Sequence, residues 1–186
     1  MAGFDYAGQS GTSGALTLIE RKIAGVGGMA SFDFTGIAAT YESIEVVVSG
    51  RSDLAATTNQ ALLCRANNDS GNNYHWQRSG SFGGTNNDAS AGTPVSAATI
   101  GSITAATAPA GAAATTRLII PGYARTVFNK SMLSLSGLRY AAGASLQHSF
   151  HAEWASTAAI NRLTLLPASG NFLEGSVVTL YGIAGA

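Results

Sequence analysis

Three histidines, one cysteine and ten carboxylates are the side chains of this 186-residue sequence best equipped for chemistry. His148 and His151 stand three positions apart, a spacing that invites a metal ion. On a strand, however, positions three apart project from opposite faces, so the pair cannot converge on one ion. His148 shares the face of Phe150 and Trp154, and His151 points away. His75, within Tyr74-His75-Trp76, fits a half-buried strand histidine better than a ligand. Cys64 lies in the apolar run Leu62-Leu63-Cys64-Arg65, the setting of a packed thiol. A lone cysteine excludes an intramolecular disulfide and a zinc site built from several cysteines. The carboxylates are scattered from Asp5 to Glu174, and no spacing pairs two of them for acid–base work. Asn67-Asn68-Asp69-Ser70-Gly71 places oxygen side chains as a calcium loop does, but lacks the carboxylate run and closing Glu that hold the ion. A hairpin turn explains it better, because Asn, Asp and Gly tolerate positive φ. There is no Gly-x-Ser-x-Gly elbow or Walker loop, and Gly25-Val26-Gly27-Gly28 lacks the third glycine of a dinucleotide site. The sequence therefore predicts a non-enzymatic chain with no catalytic residue, cofactor or metal. Sugars bind exposed rings, and among the aromatics Trp154 alternates with Phe150 as core, which leaves Trp76, beside a polar turn, as a glycan-contact candidate.

The elements that must position these groups show period two. Phe32 and Phe34 alternate with polar neighbours, as do Ile44, Val46 and Val48, Leu133 and Leu135, and Phe150, Ala152 and Trp154. Such alternation marks half-buried strands. Further strands are predicted at 16–24, 61–67, 73–79, 115–121, 160–166 and 175–183, each rich in β-formers. Punctuators separate them, among them Asn68-Asp69-Ser70-Gly71, Gly83-Gly84 and Pro121-Gly122. No amphipathic helix is evident. About ten short strands at this spacing predict an all-β fold, an antiparallel β-sandwich or barrel, as a single domain over 15–186. Two segments depart from the pattern. Residues 1–14 are Gly- and Ser-rich with Phe4 and Tyr6 as anchors, and predict an N-terminal arm. Residues 83–114 are Gly, Ser, Thr, Asn and Ala, with Ile100 and Ile103 as the main apolar points, and predict a long loop excursion lying on a neighbour. Phe4, Tyr6, Ile100 and Ile103 are accordingly the predicted interface residues.

Composition points the same way. Hydrophobic residues make up 46% of the chain, enough for a core. Charged residues are only 11%, against roughly 25% in soluble domains. Ten basic side chains balance ten acidic ones, so there is no electrostatic footprint for nucleic acid or an anionic membrane. The beginning of the sequence lacks the basic and apolar regions of a secretory signal, and no apolar run approaches a bilayer span, which predicts a protein made and used in soluble form. A surface this poor in charge predicts self-association.

In order along the chain stand Ala15-Leu16-Thr17-Leu18-Ile19, Ala30-Ser31-Phe32-Asp33-Phe34, Ile37-Ala38-Ala39-Thr40-Tyr41, the run Ile44 to Val48, and Gly50-Arg51-Ser52. Asn67-Asn68-Asp69-Ser70-Gly71-Asn72-Asn73-Tyr74 and the closing Gly175-Ser176-Val177-Val178-Thr179-Leu180-Tyr181-Gly182-Ile183 follow. Taken together, from Gly14 to Ile183, the chain resembles a family of small phage virion proteins of the tail or minor structural kind. It departs from that pattern at Asn68, commonly Gly there, and in the 83–114 stretch. The resemblance implies a jelly-roll-like sandwich acting as an oligomeric component of the phage exterior, and carries no catalytic residue. The expectation is a structural virion protein, such as a capsid decoration (cement) protein or a tail-associated protein, assembled in the host cytoplasm. Its expected partners are its own copies, as a trimer or symmetric array, and the major capsid or tail proteins. The competing expectations are a host-surface glycan-binding module of a fibre or spike, with Trp76 as contact, and a capsular-polysaccharide hydrolase.

Overall fold

A computed structural model describes residues 15–185, with the backbone alone at 85–87. Twelve strands follow one another: β1 (Leu16–Ile23), β2 (Phe32–Thr35), β3 (Ser43–Gly50), β4 (Asn59–Ala66), β5 (Tyr74–Phe82), β6 (Thr85–Val95), β7 (Ala98–Thr104), β8 (Ala114–Pro121), β9 (Lys130–Ala141), β10 (Ala144–Trp154), β11 (Arg162–Pro167) and β12 (Val177–Ile183). They form an eight-stranded sheet, in the order β1-β12-β3-β8-β9-β10-β5-β6, and a four-stranded sheet, β2-β11-β4-β7. Every ladder between neighbours is antiparallel. The all-β sandwich expected from the alternation is the fold observed.

The core lies between the layers. Phe32, Phe34, Leu62, Leu163 and Leu165 enter it from the small sheet; Ile44, Val46, Leu118, Ile120, Met132 and Leu180 enter from the large one. Each such side chain contributes about 1.5–3 kcal/mol by leaving water. All ten strands predicted from alternation and β-former content are present.

The 83–114 stretch overturns the expectation made for it. Instead of a loop excursion it carries two strands, β6 and β7, and the 105–113 connection. Gly83 and Gly84 take φ of 62° and 81°, the left-handed pair that a two-residue hairpin needs, and β6 returns along β5. β7 pairs with β4 and lies against the inner face of the large sheet. Ile100 and Ile103, predicted at an interface, are instead fully buried in the chain's own core. The physical reason is that β7 is covered on both faces, so it has no polar face to announce it as a strand. The 105–113 connection is held by one side chain: the Arg51 guanidinium donates to the carbonyls of Ala106, Ala108, Pro109 and Ala112 at 2.8–3.1 Å. Phe4 and Tyr6 lie outside the described residues.

Candidate interaction face

The inner edge of β7 dictates how the large sheet presents itself. β7 pairs with β4 along one edge and has no strand on the other. The backbone groups of that free edge would be buried without partners, at about 1–3 kcal/mol each. Serines of β9 take the place of a strand. Ser134 Oγ donates to the Ile100 carbonyl, and Ser136 Oγ donates to the Ser102 carbonyl at 3.2 Å while accepting from the Ser102 amide at 3.0 Å. Thr116 Oγ1 on β8 joins them, 2.9 Å from Ser136 Oγ. Gly101 completes the fit, since a Cβ there would stand 2.6 Å from Thr116 Oγ1.

A strand's side chains alternate, so serines facing in put leucines facing out. Leu133 and Leu135 are 57% and 59% exposed, whereas Ser134 and Ser136 are 6% and 3% exposed. This reverses the polarity that hydrophobicity alone assigns to Leu133 and Leu135. The register then fixes their neighbours on the outer face. One row runs Leu18, Tyr181, Glu45, Ile119, Leu133, His151, Gln77, from β1 across to β5. The next runs Arg21, Thr179, Val47, Arg117, Leu135, Ser149, Ser79. A third runs Ile23, Val177, Ser49, Thr115, Gly137, Gln147, Ser81.

The two halves of this face differ in size. On β1, β12 and β3 five of the nine outward positions in these rows are large and apolar, Leu18, Ile23, Tyr181, Val177 and Val47, beside Arg21, Thr179, Glu45 and Ser49. On β10, β5 and β6 small ones predominate, Ser149, Ser79, Ser81, Ala89 and Ala91, with His151, Gln77 and Gln147 among them. Shallow depressions flank Leu135 on this small side, one lined by Thr115, Ser145 and Gln147, another by Ser79, Ala89 and Ser149. Charge is scarce. Glu45 is buried, and Arg117 beside it donates from Nε and a terminal nitrogen to the two carboxylate oxygens, both at 2.7 Å. The fork-to-fork pair neutralises both groups at the centre of the face; the carboxylate hydrogen bond, more than its bare charge, raises the Arg117 pKa.

The residues singled out in the sequence are not gathered into one site. His148 is buried on the inner face of β10 and His151 is exposed on the outer, 3.2 Å from Ser131 Oγ, as the strand geometry required. His148 Nε2 comes within 2.8 Å of Asp88 Oδ2, but off the direction a hydrogen bond needs, so neither ring nitrogen has a hydrogen-bond partner among the described residues. Burial first, then the nearby Arg78 charge, pushes its pKa down. His75 is exposed, its Nδ1 against Thr93 Oγ1. Cys64 is buried, which pushes its thiol up to about 12. Trp76 is half-buried on the inward face of β5, packed against the core, its indole lying over Gly92. It forms no exposed platform.

The Asn67–Gly71 turn has the positive φ expected of it, 51° and 58° at Asn67 and Asn68, but it is not the expected hairpin: it crosses between the layers, from β4 of the small sheet to β5 of the large one, which do not pair. Its Asp69 carboxylate is occupied by Trp154 Nε1 at 2.7 Å, Asn73 Nδ2 at 2.9 Å and the Gly71 amide at 2.8 Å, and these bonds hold its pKa below the ordinary value. Among the described residues no three of His, Cys, Asp or Glu are grouped to hold a metal ion. The outer face itself was missed in the sequence. Its signal was the pair of serines alternating with Leu133 and Leu135, Ser134 and Ser136, whose destination depends on β7. Comparison with family models, with known proteins and with solved structures finds no match to this chain.

Proposed function

We propose that the chain is a structural component of a bacteriophage particle, an oligomeric exterior protein such as a capsid decoration or tail-associated protein. The observation that carries this reading is the outer face of the eight-stranded sheet, which displays Leu133 and Leu135 to solvent in a chain with 11% charged residues. Large exposed apolar side chains at the centre of a face with this little charge favour an interaction surface. The order of motifs from Gly14 to Ile183, similar to that of small phage virion proteins, supplies the kind of assembly. Its action is mechanical: each copy contributes modest binding, repeated many times across the particle.

The alternative, a glycan-binding module of a fibre or spike, has less support, because Trp76 is turned against the core. Quantitative mass spectrometry of purified particles, referenced to the major capsid protein, tests the proposal. A ratio near one or a simple fraction of it supports a decoration protein, and a handful of copies supports a tail or vertex position. Absence from particles overturns the virion reading.

A further inference from the structure

We infer that the outer face of the eight-stranded sheet docks a second copy of this chain, sheet on sheet, about a two-fold axis that lies in the interface and runs along the strands between β8 and β9. The inference deepens the reading of this face as an assembly surface and rests on it, whatever the position in a particle.

Size is the first argument. Eight strands about 4.8 Å apart span about 34 Å, and three rows of alternate residues cover about 20 Å along the strands. That footprint is about 700 Å² per copy, or about 1,400 Å² for a pair, within the roughly 1,200–2,000 Å² of a stable specific interface.

The distribution of side-chain size is the second. An axis along the strands places the β1 side of one copy over the β6 side of the other. β3 then faces β10 and β12 faces β5, so Val47 lies over Ser149 and Tyr181 over the Gln77 and Ser79 region. Large side chains meet the small half, where the depressions beside Leu135 lie. Leu133 and Leu135 sit beside the axis and meet Ile119 and Arg117 of the second copy. An axis across the strands would instead set large on large and leave the small half hollow. Packed sheets lie about 10 Å apart, which this large-to-small match fills.

Charge is the third. Copies repel when a face carries unbalanced charge. Here Glu45 and Arg117 neutralise each other within each chain, leaving Arg21 at the margin as the remaining full charge in the three rows. A self-complementary face of this kind closes as a dimer, in place of the trimer expected from the sequence.

The test uses the full chain in solution. Sedimentation equilibrium from about 1 to 100 µM, the range of ordinary specific affinities, is expected to give twice the chain mass. Leu135→Glu is expected to weaken association at least about thirtyfold, as loss of a central contact does. Its far-ultraviolet circular dichroism should not change, because Leu135 is already exposed. Phe128→Glu, at a 78% exposed apolar residue in the β8–β9 turn, should leave the dimer intact.

A bis-maleimide spanning about 10 Å, the separation of packed sheets, then reads the axis. Val47→Cys chains mixed with Ser149→Cys chains should cross-link, and neither variant should link to itself. Cys64 stays silent, buried and with its thiol pushed up to about 12. A monomer at the highest concentration, a trimer, a dimer unaffected by Leu135→Glu but broken by Phe128→Glu, or Val47→Cys linking only to itself overturns the inference. A monomer that is present in particles, and loses incorporation with Leu135→Glu, overturns the second copy as occupant and leaves the virion reading standing. A dimer absent from particles does the reverse.

Discussion

Ser136 does more for the fold than its size suggests, because it stands in for a missing strand. It serves both backbone groups of Ser102 and meets Thr116. Ser136→Ala leaves the Ser102 amide buried and unpaired, so a loss of about 1–3 kcal/mol is expected in urea unfolding; an unchanged midpoint would show that the edge is satisfied otherwise. His148 gives a pH signature. Its imidazole is harder to protonate in the fold than in the unfolded chain, with burial as the main cause. Above about pH 6.5 both states are neutral and the group costs nothing. As pH falls below that value the unfolded chain takes up the proton first and the fold loses stability. Thermal melts between pH 7.5 and 5, a range chosen to lie above the carboxylate titrations, should therefore fall for the wild type and be flatter for His148→Gln. Parallel profiles would mean that the buried ring does not govern this window. The burial of His148 was legible in the sequence, since it shares the face of Phe150 and Trp154; the approach of Asp88 was not, because β6 was not, and that of Arg78 depended on the pairing of β5 with β10.

At the scale of elements, alternation and β-former content exposed ten strands and hid two. β6, Thr-Asn-Asn-Asp-Ala-Ser-Ala-Gly-Thr-Pro-Val, contains few β-formers and is a strand because the Gly83-Gly84 turn folds it onto β5. β7 has every residue buried, so period two vanishes. Its placement carries a prediction opposite to that of an interface loop. Ile103→Ala should cost about 2–5 kcal/mol in the isolated chain, as a core truncation does; a loss within about 0.5 kcal/mol, the range of surface substitutions, would put the side chain at the surface. β9 gives the third lesson. Leu133 and Leu135 alternate with Ser134 and Ser136 in a way that any hydrophobicity rule resolves with leucine inside. The need of β7 for hydrogen bonds, a tertiary fact, resolved it with serine inside. The candidate face was therefore illegible until β7 was in place. Edges elsewhere are managed more locally: β1 bulges between Leu18 and Glu20 and carries Glu20, Arg21 and Lys22, while β6 carries Pro94.

For the whole molecule, the two sheets have unequal tasks. The four-stranded sheet closes the core, and the eight-stranded sheet both closes it and extends a broad, nearly neutral outer face. If that face is shared between copies, folding and association are linked, since the dimer form draws the equilibrium away from unfolded monomers. The melting temperature should then rise with protein concentration, and that of Leu135→Glu should not. Calorimetry at two concentrations a hundredfold apart measures this, and equal melting temperatures for the wild type would sever the link. The low charge content led to the expectation of self-association; the face proposed for it came into view only with both sheets.

The serine contacts between β9 and β7 have a mechanical consequence. The interdigitated side chains of a close-packed core resist sliding of one layer over the other, and directed bonds add to that resistance. Here Ser134 and Ser136 bond across the layers to the backbone of Ile100 and Ser102. A force that drags one sheet past the other must stretch these bonds together and in shear. They act as a bolt through the laminate, so load received by the broad sheet passes to the narrow one without creep between them.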